Sequence, residues 1–499
     1  MQEHELMWRQ LLRLDRNAAA SLQIQLRSTL ANAVLDGRLP DGLKLPSSRD
    51  LARVLGISRN TVSLVYERLV SEGHITSRAR EGHFVHGGIR RVEVAKVADS
   101  GDKPARPNWN VHFAPASINR WLNRPAGWQK YRYPFVYGQF DPRLFPLTEW
   151  RECNREALEV NAVHGWAQDD VNGGHPELID QLIRFVLPRR GISAKAGGVM
   201  LTMGTQHGLY LISRLFGGPG RVVGIEDPGY MDARNIFSHG GSDIQPLAID
   251  AQGVMTSADL ARCQYIYCTP SHQCPTGLTM STERRLALLD HAVRHDQVIF
   301  EDDYDPETQY IGQPLPALKA IDKCDRVIYL SSLSKILAPG LRVGFIVAPA
   351  GVVRRLGELS RLMIRQVPGN NALATALFIK HGHYDRLLHT TRQSLSQRAE
   401  ILVDALRKHL PEASFSIPQG GSSLWLTLPG RIDQRALLAS CVANGLLFDP
   451  GAPFFNEESQ ACCIRLGFSV IPVERIEPGI VELARHANAY ARRTSMSRA

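Results

Sequence analysis

The chain has 499 residues, 44% of them hydrophobic and 21% charged, enough for about three domains, or one large and one small, and too apolar for a globally disordered chain. Its net charge is +9. The excess is concentrated at the start, where residues 1–90 hold 13 Lys and Arg against 9 Asp and Glu, a small basic head on a nearly neutral body that suits a nucleic-acid module.

The opening segment, MQEHELMWRQ, lacks the apolar core of a secretory leader, and no run of about 18 uncharged apolar residues follows, so a cytoplasmic protein is expected. Leu22, Leu26, Leu30 and Val34 recur every four residues along one helical face, ended by Gly37. Pro46 opens a short helix with Leu51, Val54 and Leu55 inward. Gly56 makes the turn, and Ser58 caps a second helix whose buried stripe is Val62, Val65 and Leu69. ITSR and HFVHG, separated by residues 79–82, read as a two-stranded wing. Residues 89–134 carry five prolines (104, 107, 115, 125 and 134) without a sustained period, a linker, although Trp109, Trp121, Trp128 and Trp150 suggest that parts of it pack. From 135 to 499, helical stretches alternate with short apolar strands, as in an α/β fold with a mostly parallel sheet. The eight cysteines form no CxxC pair and read as buried free thiols; neither a disulfide framework nor a metal site is expected.

Two helices joined by a glycine turn, the second beginning Ser58-Arg59-Asn60-Thr61, fit a helix-turn-helix whose second helix enters the major groove. Arg49, at the start of the preceding helix, is placed to hold the DNA backbone. Arg78 and Arg80 on the wing are placed to reach an adjacent groove. Residues 20–86, with LPSSRDLARVLGISRNTVSLVYERLVSEG at their centre, resemble the GntR-type winged helix, except that REGHFV replaces the usual Gly-x-Gly wing tip. Residues 1–88 are therefore expected to bind double-stranded DNA.

In the body, several apolar strands end in polar clusters, and in open α/β sheets ligands bind beyond the carboxyl ends of the strands. VML (199–201) leads to Gly204-Thr205-Gln206 at a helix start, which offers backbone N–H groups to a phosphate. Ser332 and Ser334 add hydroxyls, and Arg342 adds a planar fork. VIF (298–300) runs into Asp302, a carboxylate able to keep a pyridine nitrogen protonated, and into Tyr304, a donor for a phenolate. RVIYL (326–330) runs into Lys335, an amine whose proton is easily lost in such surroundings. A phosphorylated, protonated pyridine bearing an aldehyde is pyridoxal 5'-phosphate, whose electron-sink chemistry needs this set.

FDPRLFP (140–146), RRGI (189–192), TMGTQHGL (202–209), EDPGY (226–230), TPSHQCPTG (269–277), EDDYD (301–305), SLSKILAPGLRVGF (332–345) and IRLGFS (464–469) resemble class I/II aminotransferases of fold type I. Joined to a GntR-type head, they resemble the MocR-type transcriptional regulators over nearly the whole chain outside the linker. The resemblance implies a winged helix followed by an α/β pyridoxal-phosphate-dependent transferase fold with a smaller C-terminal α+β subdomain. It implies that Lys335 carries the cofactor as a Schiff base, with Asp302 on the pyridinium nitrogen and Tyr304 on O3′. Arg342, Ser332, Ser334, Gly204 and Thr205 would surround the phosphate, Tyr230 would stack on the ring, Gln273 would contact O3′ or the ring, and Arg465 would take an effector carboxylate. Ser331 stands where Gly is usual, and Asn172-Gly173-Gly174-His175-Pro176 departs from the common pattern. The implied function is a head-to-tail homodimeric regulator that senses a small amine or amino acid by exchange at Lys335. The rival readings are an active aminotransferase with an accessory DNA-binding head and a DNA binder that has lost its cofactor.

Overall fold

A computed structural model describes residues 2–18, 20–86, 107–113, 122, 124–169, 174–457, 459 and 461–496, the backbone alone for 2–4 and 491–496. The expectations for 89–106, 114–121, Asn172 and Gly173 lie outside these residues. The chain divides into two compact units, Met1–His112 and Phe113–Ala499.

Among the described residues, the first unit holds the α-helices Gln2–Leu11, Leu22–Leu35, Ser48–Leu55 and Arg59–Ser71, the short 3-10 turn Trp109–Val111, and the antiparallel strands Ile75–Arg78 and Gly82–Val85. The expected stripes form its core: Leu26, Leu30 and Val34, then Leu51 and Val54, then Val62, Val65 and Leu69, joined by Tyr66, Ile75 and Val85. Pro46 stands two residues ahead of its helix, and Ser47 is the cap, its hydroxyl accepting from the Asp50 amide at 3.1 Å. Gly56 ends that helix at φ 64°, a left-handed turn cheap only for glycine. Ser58 caps the next helix by accepting from the Asn60 amide at 3.2 Å. The first segment, read above only for its lack of a leader, folds as a helix that buries Trp8.

In the second unit, an eight-stranded sheet runs in the order Val199–Thr202, Gly344–Val347, Val327–Ser332, Val298–Asp303, Tyr265–Cys268, Val222–Asp227, Asp243–Asp250, Gly253–Val254. The five strands from 327–332 to 243–250 are mutually parallel, while Gly344–Val347 and Gly253–Val254 run against their neighbours. Alternate residues serve opposite faces: Leu201, Tyr329 and Phe345 pack into one core cluster with Leu178 and Phe378, and Met200, Leu330 and Ile346 into another with Leu209 and Phe237. The sheet is covered on both faces, which is why its strands read as continuous apolar runs. Glu301, Asp302 and Asp303 are the last residues of their strand, where the sequence had suggested a segment beyond it.

A smaller five-stranded sheet follows, in the order Ser414–Phe415, Ser423–Leu428, Cys462–Gly467, Leu446–Pro450, Tyr133–Phe135. Its last strand comes from the end of the proline-rich stretch and pairs in parallel with 446–448. Trp150 packs on the main core, whereas Trp109 is exposed. All eight cysteines are free; seven are buried, and Cys324, against expectation, is exposed. Among the described residues no helix is long and apolar enough to cross a membrane.

Candidate functional site

At the carboxyl ends of the parallel strands lies a cavity of about 140 Å³. Gly204 and Thr205 enter it from the start of the helix Gly204–Phe216, Asp302 and Tyr304 from the strand Val298–Asp303 and its exit, and Ser332, Ser334, Lys335 and Arg342 from the end of Val327–Ser332 and the loop beyond. Tyr230, at the N-cap of the helix Met231–His239, completes the predicted lining.

The end nearest the helix start is shaped for a tetrahedral anion. Gly204 has φ +77°, and a Cβ there would meet Arg342 Nη2 at 2.9 Å. Gly344 comes as close from below, a Cβ on it meeting Gly204 Cα at 2.7 Å. Arg342 is itself left-handed, at φ 54°, and donates from Nη2 to the Met203 carbonyl at 2.8 Å. The Ser334 amide donates to Ser332 Oγ at 3.1 Å, folding the loop tightly around both hydroxyls. The helix start, both serines and the guanidinium thus line the same cavity, with the two hydroxyls donating to the Val343 carbonyl at 3.0 and 3.3 Å.

The opposite end is a buried acid. Tyr267 Oη donates to Asp302 Oδ2 at 2.7 Å, and among the described residues Oδ1 has no hydrogen-bond partner. Burial raises the Asp302 carboxyl from 3.8 to about 7, more than the Tyr267 bond lowers it. A carboxylate left in this state needs a cation or N–H donor, so the residues fit a protonated ring nitrogen. Tyr304 Oη donates to the His272 carbonyl at 2.7 Å, and Tyr230 Oη donates to Gln206 Oε1 at 2.9 Å. Lys335 is half-buried, and desolvation of its amine outweighs the nearby Asp305 carboxylate, so its ammonium loses its proton more readily than usual. Gly138 faces it closely, a Cβ there lying 2.9 Å from Nζ.

Gln273 does not line this cavity. Its Nε2 donates to the Pro228 carbonyl at 2.8 Å and to Glu226 Oε2 at 3.2 Å, and its Oε1 accepts from Thr276 Oγ1 at 2.6 Å. The side chain is consumed in closing its own turn, and the lining position falls to its neighbour Cys274. Tyr137, Gln206 and Pro339 also line the cavity; Tyr137 arrives from the residues just after the strand Tyr133–Phe135.

Arg465 lies beside a second, adjoining cavity of about 410 Å³ that Lys335 also lines. It is buried, and donates from Nη2 at 2.8 Å and Nε at 3.2 Å to Asp449 Oδ2 on the neighbouring strand. Ser331, in the usual glycine place, donates to the Asp303 carbonyl at 2.8 Å.

In the first unit, Arg49, Ser58, Arg59 and Asn60 are exposed and Thr61 is half-buried. They lie on the paired helices, with Arg59 Nε 3.5 Å from Ser48 Oγ. On the wing, Arg78 stacks over the Phe84 ring at 4.4 Å and lies 3.9 Å from Glu81. Arg80 occupies the turn at φ 65°.

Residues 22–85 match the family described as bacterial regulatory proteins, gntR family, and residues 138–478 match aminotransferase class I and II. The chain is 36% identical over 467 residues to the HTH-type transcriptional regulator TauR of Rhodobacter capsulatus, covering 93% of this chain and 96% of that protein. It is 29% identical over 493 residues to the probable rhizopine catabolism regulatory protein MocR of Rhizobium meliloti, covering 95% of each. The structure of Pyrococcus horikoshii kynurenine aminotransferase, solved in complex with PMP, superposes with a TM-score of 0.67 at 28% identity, over 71% of this chain and 90% of that one. The body therefore has the α/β aminotransferase fold of type I, behind a GntR-type head.

Proposed function

The chain belongs to the MocR-type regulators, in which a GntR-type DNA-binding head is joined to a class I and II aminotransferase body; on that footing we propose that it is a pyridoxal-phosphate-dependent transcription regulator sensing a small amine or amino acid at Lys335. The DNA-reading head lies within Met1–His112 and the sensing body within Phe113–Ala499; Arg124 and Tyr133–Phe135, in the stretch expected to be a linker, belong to the body. The observation that carries this reading is the convergence on one cavity of a half-buried lysine, a buried carboxylate oxygen without a partner among the described residues, and a glycine-lined helix start.

Lys335 is the attachment point, and burial favours its neutral, nucleophilic amine. Pyridoxal phosphate supplies an aldehyde on which primary amines exchange, carried by an electron-withdrawing ring. Asp302 holds the proton of the ring nitrogen through Oδ1, while Tyr267 fixes its other oxygen. Gly204, Thr205, Ser332, Ser334 and Arg342 would hold the phosphate, Tyr304 would serve the ring hydroxyl, and Tyr230 would cover the ring. Cys274 takes the place along the ring edge first given to Gln273. Arg465, fixed by Asp449, binds the acid group of the effector.

With the cofactor bound, an effector amine would take the place of the Lys335 amine on its aldehyde, leaving Lys335 free, and the body would favour the conformation that binds the effector more tightly. It shifts DNA binding only by its difference in affinity between the two states. Arg49, Ser58, Arg59, Asn60, Thr61, Arg78 and Arg80 contact the operator. In a head-to-tail homodimer, two such heads read two half-sites. A DNA-reading protein of this kind works in the cytoplasm.

Borohydride reduction of the cofactor-loaded protein, followed by mass spectrometry, tests the reading: the reduced adduct is expected on the peptide containing residue 335. An adduct elsewhere, or none, overturns it. Sustained transamination with many amino acid and keto acid pairs would instead identify an aminotransferase with an accessory head.

A further inference from the structure

We infer that Arg124 is a second acid-binding residue of the effector site, and that this site takes a short amino acid bearing a single negative charge. The inference rests on the proposed function and extends it to the chemical class of the effector.

The 410 Å³ cavity is lined by Lys335, Arg465, Arg124, Tyr137, Phe454 and Asp232, among others. Its two guanidinium groups share one counter-ion. Arg465 bonds Asp449 Oδ2 at 2.8 and 3.2 Å, and Arg124 Nη2 reaches the same oxygen at 3.5 Å while donating to the Tyr137 carbonyl at 2.8 Å. At Asp449 two guanidinium groups meet one carboxylate oxygen, so this corner of the cavity favours an anionic group from a ligand.

Donors also remain for that group. Arg124 Nε is buried with no partner among the described residues. Among the described residues, the contact of Arg465 Nη1 is the Cys274 sulfur at 3.7 Å, a weak acceptor. Buried charged donors without acceptors are costly, and a ligand oxyanion between the two arginines supplies the acceptors. Arg465 is held for this by aromatic rings on two sides, Tyr137 at 4.0 Å and Phe454 at 4.6 Å.

Reach and charge narrow the ligand further. Lys335 Nζ lies 4.8 Å from the centroid of the same Tyr137 ring that Arg465 stacks on. The two groups that would meet the amine and acid ends of the ligand thus flank a single aromatic ring, which sets an upper limit on their separation and suits a short molecule. Asp232, whose Oδ2 lies 3.2 Å from Tyr230 Oη, lines the same cavity and repels a second acid.

The test uses the full-length, cofactor-loaded protein titrated with 3-aminopropanoate, propylamine and aspartate, which carry one, no and two acid groups. The readout is the concentration that half-shifts the absorbance of the bound cofactor. The wild type is expected to prefer 3-aminopropanoate over each of the others by roughly tenfold or more, the worth of one charge-assisted hydrogen bond. Arg124→Gln should cut its preference over propylamine by roughly tenfold, and Arg124→Lys should restore part of it, as a charge without the planar fork. An unchanged ratio in Arg124→Gln overturns the inference. So does an equal weakening of propylamine and 3-aminopropanoate, which would make Arg124 only a prop for Tyr137, or a wild type that favours aspartate. A wild type shifted by all three without preference sinks this inference alone. A protein that carries no cofactor band, or whose band no amine shifts, sinks the proposed function and this inference with it.

Discussion

The two units place their working side chains in opposite environments. In the head, the apolar stripes are spent on a small core around Tyr66 and Val62, and Arg49, Arg59 and Asn60 stand in solvent. In the body, Asp302, Ser332, Ser334 and Arg465 are all buried, at strand ends between covered faces of a sheet. Exposed charges are individually weak because water screens them, and they work as a set against a polyanion. Buried groups are strong individually, because each lost partner leaves another group desolvated and unpaired. Single substitutions should therefore act in an all-or-none way in the body and by increments in the head.

The sharpest test of that contrast is Lys335→Ala. No other amine lines the 140 Å³ cavity among the described residues, so the covalently bound cofactor band and the effector response should both vanish. Operator binding without effector should persist, measured by fluorescence anisotropy. A variant that still responds to effector would break the comparison, since the decisive group would lie outside the buried set.

Asp302→Asn comes next. Losing the carboxylate opposite the ring nitrogen should weaken cofactor binding by about 2–3 kcal/mol, in the range for hydrogen bonds to charged groups. The same change has a pH signature in the cofactor-free protein. Asp302 titrates at about 7 when folded against 3.8 ordinarily, through burial with Tyr267, Asp303 and Lys335 around it. The folded state thus holds the proton more tightly. The resulting stability is fully present below 3.8 and is lost as pH rises through about 7. Glu226 and Asp305, raised to about 7 by burial, push the same way. Tm of the cofactor-free wild type should fall across this window, and Asp302→Asn should fall less steeply; parallel curves would show that Asp302 does not titrate there.

Arg59→Ala belongs to the other regime. It should cost about 1–3 kcal/mol of operator affinity if Arg59 reads a base, with relaxed specificity at one position, and leave the cofactor spectrum unchanged. Equal loss on all sequences would reassign Arg59 to a phosphate.

What the sequence disclosed follows the same division. Lys335, Ser332, Ser334 and Arg342 lie within eleven consecutive residues, so one loop carries them together wherever it folds. Asp302 could be read because a carboxylate ending an apolar strand is conspicuous. Asp449 gives the same signal at the end of LLFDP and could have been found that way; its pairing with Arg465 depends on cross-strand register, which the sequence does not display. Tyr137 and Tyr267 reach the site through tertiary folding from segments whose own pattern is only apolar. Gln273 and Cys274 differ by one position in a loop, where no periodicity decides which side chain faces inward; the amide that closed the turn took the outer place. In the head, the stripes at 22–34 and 62–69 predicted their helices because the 3.6-residue period is local. The helix Gln2–Leu11 shows no apolar stripe in the sequence; Trp8 is its buried side chain, helped by Leu11 and by Arg9 donating to the Val54 carbonyl at 2.9 Å.

The smallest effect is expected on the wing, where two arginines that look equivalent in sequence are not. Arg78 is held against the Phe84 ring at 4.4 Å and lies 3.9 Å from Glu81, so part of its charge is already answered within the head. Arg80 sits exposed at the tip in a left-handed conformation, φ 65°. If both face DNA phosphates, Arg80→Ala should lower affinity almost uniformly across sequences and reduce the salt slope by about one, as for a lost phosphate contact. Arg78→Ala should change the slope less, because Glu81 is released as Arg78 is removed, and should also loosen the packing on Phe84. Affinities measured over a salt series would separate the two. Equal slopes would mean that the Glu81 pairing gives way on DNA, and that the wing adapts to its partner as the buried site of the body does not.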